Sequence, residues 1–174
     1  MKIPWSGRSH NFDKKDISFL VNIIKEADPL TQGKFLEKFE SIFSKYIGKK
    51  NVFAVSSAAA ALEIIALLAD IKKDDEVIIP AHTYCASAIP FARNGAKIIW
   101  ADINFKTRVA DLIDVKRKIT SKTKAIVLVH LYGYALDFKE IISYCKKRKI
   151  KIIEDCAQAL GAEIDGKKAG SLGD

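Results

Sequence analysis

Ile152-Ile153-Glu154-Asp155-Cys156-Ala157-Gln158 sets a carboxylate, Asp155, at the mouth of an apolar run, with an amide three positions beyond it. A carboxylate there is costly unless something positive pairs with it. The protonated ring nitrogen of a bound cofactor is one such partner; a helix-capping role for Asp155 explains the same residues. Gln158 faces the same cleft if the chain turns helical after the strand. A second group is Ser57-Ala58-Ala59-Ala60, small residues leading directly into a helix. They let an anion approach the free N–H groups of a first helical turn, or Ser57 simply caps an alanine-rich helix. In Pro80-Ala81-His82-Thr83-Tyr84, Tyr84 offers a flat face to a ring, or is a partly buried structural tyrosine. His130, in His130-Leu131-Tyr132-Gly133, reads more simply as a hydrogen-bonded packing residue than as a catalyst. Neither a P-loop nor a Rossmann glycine fingerprint occurs.

The elements that must position these residues alternate in type. Short apolar runs predict strands at Asn51–Val55, Glu76–Ile79, Lys97–Ala101, Ala125–Val129 and Lys151–Ile153. Their cores are apolar at consecutive positions, which suits strands buried on both faces. Helices are expected over Ala58–Ala69, Thr83–Asn94, Leu112–Ile119 and Phe138–Arg148, with Pro90 kinking or splitting the second. Two amphipathic patterns precede them: Asp16–Ala27, closed by Asp28-Pro29, and a run through Phe35, Leu36, Phe39, Ile42 and Phe43 that ends at Gly48. The expected fold class is α/β, a three-layer α/β/α unit with a mostly parallel sheet of at least five strands, preceded by a helical arm over residues 1–48. Ligands of such sheets gather beyond the strands' carboxyl ends.

At 174 residues, 49% of them hydrophobic, the chain can bury a core, which excludes disordered and low-complexity classes. No stretch approaches the roughly 20 apolar residues that span a bilayer. Met1-Lys2-Ile3-Pro4-Trp5-Ser6-Gly7-Arg8 lacks the apolar run of a signal peptide, so the expected location is cytoplasmic. Cys85, Cys145 and Cys156 form no CxxC pair and are expected to be reduced, buried thiols. The net charge of +8 suits nucleic acid, an anionic membrane or small phosphorylated ligands. Its densest cluster, Lys146-Lys147-Arg148-Lys149, ends an expected helix, where cations meet the dipole. Aromatic residues do not interleave with basic ones as nucleic-acid stacking requires, so nucleic acid is not an expected partner; nor, with no bilayer-length apolar run, is a membrane.

An ordered series of pieces goes further. Thr31-Gln32-Gly33 stands before Phe39-Glu40, followed by Val55-Ser56-Ser57 and then Asp75-Glu76-Val77-Ile78-Ile79-Pro80-Ala81-His82-Thr83-Tyr84. Asn94-Gly95-Ala96, Thr123-Lys124-Ala125-Ile126 and Val129-His130-Leu131-Tyr132-Gly133 come next. Ile153 to Ala162 and Gly166 to Asp174 complete it. In this order, the run from Gly33 to Asp174 resembles the first half of the DegT/StrS family, pyridoxal-phosphate enzymes acting on nucleotide-linked sugars.

The resemblance implies a fold-type-I aminotransferase large domain, of which residues 49–174 are a part. It implies pyridoxal 5'-phosphate as cofactor, with Asp155 keeping the pyridine nitrogen protonated, Gln158 bonding the ring hydroxyl and Tyr84 stacking on the ring. Ser57, Ala58, Ala59 and Ala60 hold the phosphate, the last two through backbone. It also implies a homodimer, a nucleotide-linked keto-sugar as substrate and an amino donor, glutamate, with an amino sugar for cell-surface polysaccharide or related glycan synthesis as product. Two departures stand out. The family has Gly-Thr where this chain has Ala58-Ala59, which removes a phosphate contact worth about 1 kcal/mol. The family's Schiff-base lysine follows a Ser-Phe segment that the resemblance puts beyond Asp174, together with the small domain, so the chain is expected to be a fragment. A subset of the family has histidine there and dehydrates its substrate. The competing expectations are a non-catalytic remnant or scaffold of the same fold, and a basic nucleotide- or nucleic-acid-binding module.

Overall fold

The computed structural model describes residues 12–29 and 31–174. Readings that rest on the opening segment or on Leu30 lie outside the described residues. The chain divides into two units between Ala54 and Val55.

The first unit holds α1 (Lys14–Glu26) and α2 (Lys34–Ile47). α1 starts two residues before the expected Asp16 because Asp13 caps it. Its Oδ1 accepts the N–H groups of Lys15 (2.7 Å) and Asp16 (2.9 Å), and Asp16 returns a carboxylate to the Asp13 N–H at 3.0 Å. α2 stops at Gly48, whose φ of 71° is the left-handed conformation that ends helices. The strand expected at Asn51–Val55 is absent. Among the described residues no neighbouring strand offers a ladder, the Ala54 N–H donates to Glu40 Oε1 instead (2.8 Å), and Phe53 stands 80% exposed.

The second unit begins with α3 (Ala58–Leu68) and β1 (Glu76–Pro80). A 3-10 turn, Cys85–Ser87, leads to the short helix α4 (Ile89–Arg93). Pro90 sits in the first turn of α4, where its missing N–H costs nothing, so the stretch is split in two at Pro90, one of the two outcomes expected of it. β2 (Lys97–Ala101), α5 (Leu112–Arg117), β3 (Thr123–Val129), α6 (Lys139–Lys147) and β4 (Lys151–Asp155) complete the alternation. A small hairpin follows, β5 (Glu163–Ile164) and β6 (Lys167–Lys168). Its two-residue turn, Asp165-Gly166, has φ of 48° and 72°, as a type I′ turn requires.

Among the described residues the main sheet therefore has four strands, not the five or more expected, in the order β2-β1-β3-β4 and all parallel. All five residues of β1 are buried, as are six of the seven in β3. Successive side chains point to opposite faces, so both faces of the sheet are covered. Ile78 lies opposite Ile99 on one side and Ile126 on the other. Truncating such a fully buried isoleucine to alanine costs about 2–5 kcal/mol. The strand order reverses at β1, since the chain steps from β1 to β2 and then returns past β1 to β3. That makes the carboxyl ends of β1 and β3 the switch point where parallel sheets open a crevice.

Candidate functional site

Asp155 ends β4 beside that crevice. It pairs in register with Val129, and the His130 N–H donates to the Asp155 carbonyl at 3.0 Å. Its side chain enters the unit with only 9% of the residue exposed. The Ser87 hydroxyl donates to Asp155 Oδ2 at 2.7 Å, and the Ala157 N–H donates to Oδ1 at 3.1 Å. Asp155 is thus both a cap for the turn that follows it and a carboxylate fixed from across the unit. Thr83 Oγ1 lies 2.7 Å from Ser87 Oγ. Since the Ser87 proton goes to the carboxylate, Thr83 is the donor in that pair.

Thr83 and Ser87 flank Tyr84, so this relay joins the Tyr84 turn to the Asp155 carboxylate. Tyr84 itself is 69% exposed. Gln158 is exposed on a turn, closed by the Ala159 N–H on the Cys156 carbonyl (2.9 Å), so the helical condition for its facing the cleft is not met. The Asp155 carboxylate is what turns the chain there, by taking the Ala157 N–H. Gln158 Oε1 accepts the Tyr132 N–H at 3.2 Å, which leaves the amide's Nε2 as its donor. Tyr132 in turn meets His82 edge-on, ring centroids 6.1 Å apart, so residues just past β1 and β3 converge at the switch point.

Ser57 caps α3, its Oγ accepting the Ala60 N–H at 3.1 Å. α3 packs against the 3-10 turn Cys85–Ser87 that follows Tyr84, and against α4 beyond it. Among the described residues, no hydrogen bond joins Ser57–Ala60 to the Asp155 relay.

Glu154 is buried with its side chain 3% exposed, and it is saturated with donors. The N–H groups of Leu172 (2.8 Å) and Gly173 (2.6 Å) reach Oε1; that of Gly170 (2.8 Å) and His130 Nε2 (3.0 Å) reach Oε2. His130 Nδ1 accepts the Leu136 N–H, so its proton sits on Nε2 and faces the carboxylate. Burial pushes the Glu154 carboxyl up, but His130 and the three backbone donors outweigh it and hold it below the usual range. His130 is thus the packing residue its position suggested. Burial, with Glu154 and Asp155 nearby, pushes the Cys156 thiol up to about 12, which keeps it protonated and removes it as a nucleophile. His130, Glu154 and Cys156 approach one another within 4.8 Å, yet both ring nitrogens of His130 are engaged, one with Glu154 and one with the Leu136 N–H. Of the cysteines expected to be buried, Cys145 is buried, Cys156 is half-buried and Cys85 is exposed; all three are free.

Reading along the sequence missed Ser87, Thr83 and the role of Glu154. Ser87 lies 68 residues from Asp155, and no local spacing connects them. Glu154 carried a signal, because a buried strand that ends on two acids needs a separate partner for each.

Relatives fit this geometry. A transaminase of Aneurinibacillus thermoaerophilus, dTDP-3-amino-3,6-dideoxy-alpha-D-galactopyranose transaminase, is 40% identical over 161 residues, covering 92% of this chain and 44% of that protein. GDP-perosamine synthase of Vibrio cholerae is 35% identical over 164 residues, 94% of this chain and 45% of its own length. The structure of an Escherichia coli enzyme, GDP-4-keto-6-deoxy-D-mannose-3-dehydratase with bound hydrated PLP, superimposes with a TM-score of 0.87 at 28% identity, over 95% of this chain and 44% of that one. The chain spans less than half the length of each. The fold is accordingly part of a fold-type-I aminotransferase domain. Residues 11–174 match the DegT/DnrJ/EryC1/StrS aminotransferase family, and the chain belongs to that family.

Proposed function

We propose that this chain is the cofactor-holding part of a pyridoxal-phosphate-dependent aminotransferase that makes an amino sugar from a nucleotide-linked keto-sugar, with glutamate as amino donor. The buried Asp155 carboxylate beside the switch-point crevice carries this reading. The groups around it suit pyridoxal phosphate, which has a basic ring nitrogen, a ring hydroxyl and a phosphate. Bound there, the cofactor supplies an electron sink for bond breaking at the substrate carbon.

Each residue has a part that follows from its chemistry. Asp155 presents an anion to the ring nitrogen and keeps a proton on it. Gln158 donates through Nε2 to the ring hydroxyl, since its Oε1 is taken by Tyr132. Tyr84 lays its exposed ring against the cofactor face. At the start of α3, the Ala59 N–H meets the phosphate with the helix dipole behind it, while the Ala60 N–H, expected beside it, donates to Ser57 Oγ. Ser57 accepts from Ala60 and so has its own proton to give to the phosphate.

The proposed setting is the cytoplasm; among the described residues no helix is long and apolar enough to cross a membrane. The proposed assembly is a homodimer, which would cover exposed apolar residues such as Tyr84, Tyr132 and Leu160. None of the residues proposed to hold the cofactor is a lysine, so borohydride reduction should leave no stoichiometric lysine adduct within residues 1–174.

Titrating the protein with pyridoxal phosphate while recording visible spectra tests the reading. A saturable spectral shift is expected, and its absence overturns the proposal. Dehydration of the sugar is the second reading, favoured by the equally close fold of the dehydratase. A deoxygenated keto-sugar product, in place of an amino sugar formed from glutamate, would select it.

A further inference from the structure

Ser87 is 1% exposed, and its hydroxyl makes two contacts: it donates to Asp155 Oδ2 and accepts from Thr83. A buried hydroxyl in a well-packed unit is a costly way to fill space unless its hydrogen bonds are used. Here they join two places that the sequence keeps 68 residues apart. On one side stands the turn that carries Tyr84, on the other the carboxylate that ends β4. The Ala157 N–H fixes Oδ1, and Ser87 fixes Oδ2, so the carboxylate plane cannot rotate without breaking one of the two.

We propose that Ser87 is a positioning residue: it locks the Asp155 carboxylate in the orientation that meets the ring nitrogen of pyridoxal phosphate and sets its distance from the Tyr84 ring. This rests on the pyridoxal-phosphate reading of the site. Thr83 belongs to the same device, because its proton occupies the Ser87 lone pair and leaves the serine proton aimed at Asp155. Without Ser87, Oδ2 has no donor and the carboxylate turns to find one. The ring nitrogen then loses its aligned partner, although Asp155 is still present.

The test uses three forms of the protein, wild type, Ser87→Ala and Ser87→Thr, and two probes. One is pyridoxal phosphate; the other is its 1-deaza analogue, in which carbon replaces the ring nitrogen. Ser87→Ala should weaken pyridoxal phosphate binding about tenfold and leave binding of the 1-deaza analogue within about twofold. Ser87→Thr, which keeps the hydroxyl, should recover most of the affinity for pyridoxal phosphate. Thermal unfolding of each form shows that it is folded before the affinities are compared. Equal losses for both probes would mean that Ser87 only maintains packing, and would overturn the proposal. So would an unchanged affinity of Ser87→Ala for pyridoxal phosphate. If Ser87→Thr fails to fold, the contrast between probes in Ser87→Ala alone decides. A wild-type protein that binds neither probe would remove the cofactor reading itself, and this inference with it.

Discussion

Glu154 and Asp155 are consecutive in β4, yet their carboxylates serve different structures. Strand geometry sends neighbouring side chains to opposite faces. Glu154 takes the His130 ring and three N–H groups of Gly170 to Gly173, holding the last residues of the unit against the sheet. Asp155 takes Ser87 and Ala157 at the crevice. One acid anchors the fold and its neighbour is the one proposed to meet the ligand, so substitutions at the two positions should separate stability from binding.

Asp155→Asn is the binding arm of that contrast. The amide has nearly the shape of the carboxylate, and its oxygen can still accept one of the two hydrogen bonds. Stability should fall by no more than about 1 kcal/mol. A neutral amide does not hold a proton on the pyridine nitrogen, so affinity for pyridoxal phosphate should drop at least about tenfold. Spectroscopic titration alongside denaturant unfolding checks both halves. An affinity equal to wild type would remove Asp155 from the role proposed for it.

Glu154→Gln is the stability arm. The amide's NH2 would be forced toward groups that are themselves donors, in a place with no water to compensate. The expected cost is about 2–4 kcal/mol. Hydrogen exchange at the Gly170, Leu172 and Gly173 amides should accelerate well beyond the rest of the unit. The wild-type carboxyl is held below its ordinary value of 4.5. Its contribution is therefore complete above that pH and is lost as pH falls through the lower folded value. A loss under about 0.5 kcal/mol would show that Glu154 does not anchor the segment.

Much of this architecture could be read from single stretches of sequence. Consecutive apolar residues in Val77-Ile78-Ile79 and Ala125 to Val129 announced central strands, because only a strand covered on both faces needs them. Gly48 announced the end of α2 through its backbone freedom. Asn51–Val55 had the composition of a strand but no neighbour to pair with, and pairing is a property of the whole fold. Asp165-Gly166 did carry a local hairpin signal, overshadowed by the short strands on either side. At the site, Asp155, Gln158 and Tyr84 stood out by type and place. Ser87 did not, because a serine in a small-residue run shows nothing of a carboxylate 68 residues away.

Asp114 supplies an acid-dependent part of the stability. Its carboxylate, in the first turn of α5, accepts the Asp102 N–H at 2.7 Å, Lys118 Nζ at 2.9 Å and the Arg117 guanidinium. The Asp102 N–H, then Lys118 and Arg117, outweigh burial and lower the carboxyl from 3.8 to about 2. A depressed carboxyl stabilises the fold fully above its unfolded value, and the effect disappears as pH falls toward the folded one. The melting-temperature gap between wild type and Asp114→Asn should hence be constant above about pH 4 and close by about pH 2. Melting curves at half-unit intervals check this. A gap that persists unchanged at pH 2 would mean that packing, not charge, accounts for it.

Gly173→Ala should loosen the same segment that Glu154 anchors, by a different cause. A Cβ on Gly173 would lie 2.8 Å from the Ile152 carbonyl oxygen, 3.2 Å from Glu154 Oε1 and 3.3 Å from Glu154 Cγ. The first of these is backbone of β4 and cannot swing aside. The neighbouring Asp174 N–H is bonded to that same oxygen at 2.9 Å, and the Asp174 carboxylate accepts the Ile152 N–H at 2.9 Å. Moving Gly173 outward therefore strains two further hydrogen bonds. The expected loss is about 1–3 kcal/mol. Gly166→Ala makes the control, because open space surrounds that position and only its φ of +72° resists a side chain. Its cost should stay near 1 kcal/mol and should spare the Gly170 to Gly173 amides. Limited proteolysis read by mass spectrometry should find new cleavage between residues 165 and 174 in Gly173→Ala before any global unfolding. Equal protection of that segment in both variants would show that the close approach of Gly173 to β4 is not what holds it.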